Sequence, residues 1–163
     1  MMHGPKSTAR TDILTLLQEE HDEMEVLIKT VLDSADADDV TDLRRRVLAE
    51  IRAALVPQAK AEEDVLYARL AQDEQTRPRT LEGTQEHLVF LRLLGELHAM
   101  TLQGEVWMAK FKVFAENVEH HLREEEQALF PQARTVLTTL EGRELVGAYQ
   151  AAREGHARDA AAA

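Results

Sequence analysis

Apolar residues recur every three or four positions along nearly the whole chain, and no strand-like alternation is sustained anywhere. That spacing returns to one face of an α-helix, so it predicts long amphipathic helices and excludes a sheet. The first helix is expected over about Thr11 to Leu32, with Ile13, Leu17, His21, Met24, Ile28 and Val31 on its inner face. The turn-rich "DSADADD" follows. A second helix over about Val40 to Ala71 turns Leu43, Val47, Ile51, Leu55, Gln58, Glu62, Val65 and Leu66 inward. Pro57 lies within it and is expected to kink it near Leu55 or Val56, because proline lacks the backbone donor. A third helix is expected from about Arg79 to Leu102, with Leu81, Thr84, His87, Leu91, Leu94 and His98 on one face. A fourth follows from about Glu105 to Leu137, with Trp107, Phe111, Phe114, Val118, His121, Glu125 and Leu129. A shorter fifth, about 140–153, precedes an "EGHARDAAAA" tail expected to fray. Four long helices with short connections give an all-α, antiparallel up-and-down four-helix bundle with a short additional C-terminal helix. The 163 residues suit a single domain over 1–163, its bundle at about 11–137.

The halves of the chain resemble each other. Offset by 66, "EHDEMEVLI" aligns with "EHLVFLRLL" and pairs His21 with His87. Offset by 63, "QAKAEEDVLY" aligns with "HLREEEQALF" and pairs Gln58 with His121, Glu62 with Glu125 and Tyr67 with Phe130. Glu62 and Glu125 thus interrupt apolar stripes at equivalent places. A buried carboxylate must be protonated, paired or bound to a cation, and inward-facing basic residues are too few to pair these. Histidine and carboxylate without sulfur favour iron, manganese or zinc. Residues four apart share a helix face, so His121 and Glu125 converge, as do His21 and Glu25. The candidate ligands are His21, Glu25, Glu62, His87, His121 and Glu125, enough for two cations with an oxo, hydroxo or water bridge. His98 lies about 16 Å along the helix from His87 and is left out. His120 points away from His121 and is expected to be exposed or to support a ligand. Glu20, Glu63, Glu86, Glu124 and Glu126 are read as solvated faces, and His3 and His156 as parts of frayed ends.

The composition excludes several functions. The net charge of −11 leaves no basic stripe for nucleic acid and disfavours an anionic membrane. With no cysteine there are no disulfides, thiolate zinc sites or thiol nucleophiles. There is no Gly-x-Ser-x-Gly elbow or Gly-rich phosphate loop. The polar start "MMHGPKSTAR" has no apolar signal segment. A cytoplasmic protein is expected.

A histidine on helix one, "EEDVLY" on helix two, "EH" on helix three and "HLREEEQALFP" on helix four resemble the hemerythrin-like (HHE cation-binding) domain, over about residues 12–137. The resemblance implies a non-haem di-iron centre that binds or reacts with dioxygen, peroxide or nitric oxide. His21 would bind one iron, His87 and His121 the other, and Glu62 and Glu125 would bridge them. The chain departs from the family at Gln58, where a histidine is usual, and at Leu91, where oxygen carriers have a second histidine. Glu25 is expected to supply the ligand that Gln58 cannot. The missing ligand at Leu91 favours sensing, scavenging or peroxide breakdown over bulk oxygen transport. Two alternatives compete. A ferritin-like di-iron oxidase needs Glu-x-x-His pairs, but Gln18, Thr84 and Val118 precede His21, His87 and His121. A metal-free helical module that binds a protein partner is supported by Gln58 alone.

Overall fold

The computed structural model describes residues 11–162. Helix α1 spans Ile13–Leu32, and Asp12 caps it by accepting the Thr15 backbone N–H at 2.8 Å. Helix α2 spans Thr41–Glu62, passes through a π-helical turn at Glu63–Tyr67 and ends with Ala68–Leu70. Helix α3 is Arg77–Ala99, with Pro78 in its first turn, where the missing N–H has no helical partner to lose. Helix α4 spans Gly104–Glu124, passes through a second π turn at Glu125–Leu129 and continues as Phe130–Val136. Helix α5 is Thr139–Ala162. No strand occurs among the described residues, and none of their helices is long and apolar enough to cross a membrane.

The helices close a ring. α1 packs on α2 and α4, and α3 packs on the same two helices. α5 lies outside the ring against α1, α2 and the first π turn. Two apolar clusters fill the interior on either side of the buried histidines and glutamates. The larger is built around Met24, Ile28, Ile51, Leu94, Trp107, Phe111 and Phe114. The smaller joins Ile13, Leu17, Leu66, Leu70, Leu129 and Phe130 to Val146 and Tyr149 of α5. Gly104 starts α4 at φ 88°, a left-handed conformation that costs a residue with a Cβ more than glycine.

Four expectations are corrected. Pro57 sits buried inside an unbroken α-helical span, and the irregular turn comes later, at Glu63–Tyr67. Leu81 is 61% exposed, because α3 turns Thr80, Gly83, His87 and Phe90 inward instead. The alanine-rich tail is helical to Ala162, as alanine's helix propensity allows. His156 is therefore no frayed residue: it sits on α5 and bonds Asp64 at 2.6 Å. The first ten residues, with His3 and the polar start, lie outside the described residues.

Phe111 is fully buried, stacked on Trp107 with ring centroids 5.4 Å apart and against Phe114. Phe111→Ala is expected to lower the unfolding free energy by about 3–5 kcal/mol. Chemical denaturation followed by circular dichroism and by the fluorescence of Trp107, the chain's one tryptophan, measures it.

Candidate metal centre

Glu62 of α2, His87 of α3 and His121 of α4 meet Glu125, the first residue of the second π turn. One ligand atom from each lies within 4.8 Å of all the others, and all four residues are buried. His21 of α1 completes the group from the side of Glu125, its Nε2 3.1 Å from the Glu125 carboxylate. The helix pairs related by the repeat thus deliver equivalent residues to one point. Glu25 is not brought there. The buried stripe of α1 runs from His21 through Met24 to Ile28, so Glu25 rotates into solvent. Gln58, one turn before Glu62, is buried.

The π turns explain how each helix supplies both a carboxylate and an aromatic ring. In a regular α-helix a residue five positions on lies about 140° around the axis. The wider π turn brings it back toward the starting face. Tyr67, five after Glu62, therefore stacks on His87 at 5.5 Å and donates its hydroxyl to Glu125 at 2.6 Å. Phe130, five after Glu125, stacks on His21 at 5.8 Å. Gly83 makes room for the first arrangement, since a Cβ there would collide with the Tyr67 hydroxyl.

Each site histidine is held from behind by a carboxylate. The outer nitrogen Nδ1 of His21 bonds Glu126 at 2.9 Å, that of His87 bonds Glu63 at 2.7 Å, and that of His121 bonds Glu86 at 2.5 Å. Glu63, Glu86 and Glu126 were expected on solvated faces; instead they are partly buried and orient the imidazoles. Carboxylates in this position fix the tautomer of metal-binding histidines and raise their basicity. With Nδ1 donating, the Nε2 atoms of His87 and His121 each present a lone pair, and they face one another at 3.0 Å. Two bare lone pairs repel at that distance. Two nitrogens about 2.1 Å from one ion and at right angles to each other are also about 3 Å apart. His21 Nε2, Glu62 Oε1 and Glu125 Oε2 are buried without a hydrogen-bond partner. Such orphaned atoms converging on one point fit a bound cation.

Without a metal, protons carry the balancing charge. Burial and the adjacent Glu125 charge push the Glu62 carboxyl well above the usual range. Burial also works to raise Glu125, but His121, a hydrogen bond with Glu62 and the neighbouring His21 outweigh it and hold Glu125 well below that range. Burial lowers His21, yet the Glu125 carboxylate beside it and the charge of Glu62 prevail and push it up to about 9. Like charges this close cannot both ionise without compensation, so the pair shares a proton.

A helical bundle with histidines and carboxylates converging at its centre defines a non-sulfur cation-binding protein. The model of the hemerythrin HHE cation-binding domain matches residues 12–133, and the chain belongs to that family. No curated protein matches the chain, and no solved structure does.

Two outcomes follow from this geometry. Glu86→Ala, which frees the His121 ring, is expected to weaken divalent-metal binding roughly 10- to 100-fold in a calorimetric titration, while Glu25→Ala leaves it unchanged. Gly83→Ala is expected to displace Tyr67 from Glu125 and to alter the tyrosine signal in near-ultraviolet circular dichroism.

Proposed function

We propose that this chain is a cytoplasmic non-haem di-iron protein that binds or reacts with dioxygen, peroxide or nitric oxide, in sensing or scavenging rather than bulk oxygen transport. The observation that carries the reading is the facing pair of lone-pair nitrogens on His87 and His121, backed by Glu86 and Glu63 and flanked by two glutamates. In this reading the four long helices run antiparallel, up and down. His87, His121, Glu62 and Glu125 would hold one metal. His21, with the same two glutamates as bridges, would serve the other. Manganese or zinc satisfies the same donor set.

Iron held there supplies redox equivalents and a Lewis-acidic position for a small oxidant. The chain's own residues do the rest. Phe90 packs against both His87 and His121, with centroids 5.4 and 5.5 Å away, and Phe130 and Met24 are buried nearby. These side chains keep bulk water from the site. Tyr67 fixes the orientation of the Glu125 carboxylate through its hydroxyl. A cavity of about 20 Å³ between α3 and α4 reaches His121 and Glu125 past Tyr67 and Gly83. A space of that size admits a water-sized molecule. Leu91 occupies the place where the oxygen carriers of the resemblance have a second histidine, which favours reaction over reversible carriage.

Metal quantitation of the purified chain, with absorption spectra taken aerobically and then after reduction, tests the reading. Iron at up to two per chain is expected, with near-ultraviolet bands that bleach on reduction and respond to added peroxide or nitric oxide. A chain that holds no iron after anaerobic reconstitution would sink it.

A further inference from the structure

The two halves of the chain are unequal where they reach the centre. On one side His87 donates to Glu63 and His121 to Glu86. The repeat carries the first pair onto His21 and Glu126, and the structure keeps that pair at 2.9 Å. It carries the second pair, His121 and Glu86, onto Gln58 and Glu20. No imidazole stands at position 58 to donate to Glu20. Glu20 instead accepts the Tyr149 hydroxyl at 2.5 Å and the Arg153 guanidinium at 2.5 Å, both from α5.

α5 lies outside the repeat and packs against α1 and α2, the helices that carry Glu20 and Gln58. Tyr149 is fully buried and Glu20 is 9% exposed. Tyr149, Arg153 and His156 fall at spacings of four and three, so one face of α5 reaches the site-bearing elements. His156 bonds Asp64, next to Glu63 in the first π turn. The Tyr149 hydroxyl is committed to Glu20, so it reproduces the outer N–H of the missing imidazole and supplies no inward-facing ligand nitrogen.

We propose that the Tyr149–Glu20 pair replaces the absent histidine–carboxylate pair, making one metal position tight, at His87, His121, Glu62 and Glu125, and the other, beside His21, weak. Tyr149 is a positioning residue: it holds the carboxylate that a histidine at position 58 would otherwise use. The inference rests on the reading that the centre binds metal.

Anaerobic titration of the metal-free chain with ferrous iron, and separately with cobalt(II), tests it, the ions per chain being counted by native mass spectrometry. The wild type is expected to bind one ion at least about tenfold more tightly than a second. The double variant Gln58→His/Tyr149→Phe returns an imidazole to Glu20 and should tighten the second step toward the first. Gln58→His alone should do so less, because Tyr149 still competes for Glu20. Circular dichroism establishes that each variant is folded. Two equal steps in the wild type, or a second step unmoved in the folded double variant, overturns the inequality while leaving metal binding intact. Absence of binding in every variant overturns the metal reading itself, and this inference with it.

Discussion

Two carboxylates, Glu62 and Glu125, sit together in the dry middle of a helical bundle, and nearly everything around them answers that fact. Alone they would repel and would each cost several kcal/mol to bury. Three imidazoles converge on them, each anchored by a further carboxylate at the rim. Negative charge outside holds the ring protons outward and leaves lone pairs facing in. A cation in the middle then completes an alternation of charge that runs from solvent to centre. In the metal-free chain, a raised His21 and a shared carboxyl proton do the same work less well.

The π turns are the backbone's part in this arrangement. A regular helix could present Glu62 or Tyr67 to the centre, but not both. One wide turn in each half presents both the carboxylate and the aromatic wall, and the two turns begin at Glu63 and Glu125, one position from exact repeat register. Such turns interrupt regular hydrogen bonding and are seen mostly at functional sites. Here the gain is a hydroxyl placed on Glu125 and a ring stacked on each of His87 and His21.

The fifth helix gives the centre its asymmetry. The four-helix ring is built from two similar halves, but α5 touches only one of them closely, and that half lacks the histidine at position 58. Its Arg153 balances the charge of Glu20 and its Tyr149 donates a hydrogen bond to it, so that this nearly buried carboxylate is not left unpaired. The glutamine at position 58 and the clamping helix are thus parts of one local solution to a charge problem.

Helical class, the repeat and the inward direction of His21, Glu62, His87, His121 and Glu125 were legible in the sequence, because helix periodicity alone decides which residues share a face. The hemerythrin-like pattern rests on the same residues. Glu25 was misplaced because four-residue spacing allows either of two neighbouring faces, and packing on Met24 chose between them. Glu63, Glu86 and Glu126 were read as solvated because periodicity records only the angle from a helix's own axis. Which neighbouring helix stands within reach of that angle is a tertiary matter. Nothing in the sequence marks Tyr149, because its bond to Glu20 joins residues 129 apart in the chain. The sequence by itself determined that charge would point inward. Only the packing of five helices decided which groups balance that charge, since hydrogen bonds between helices depend on distances that no single helix contains.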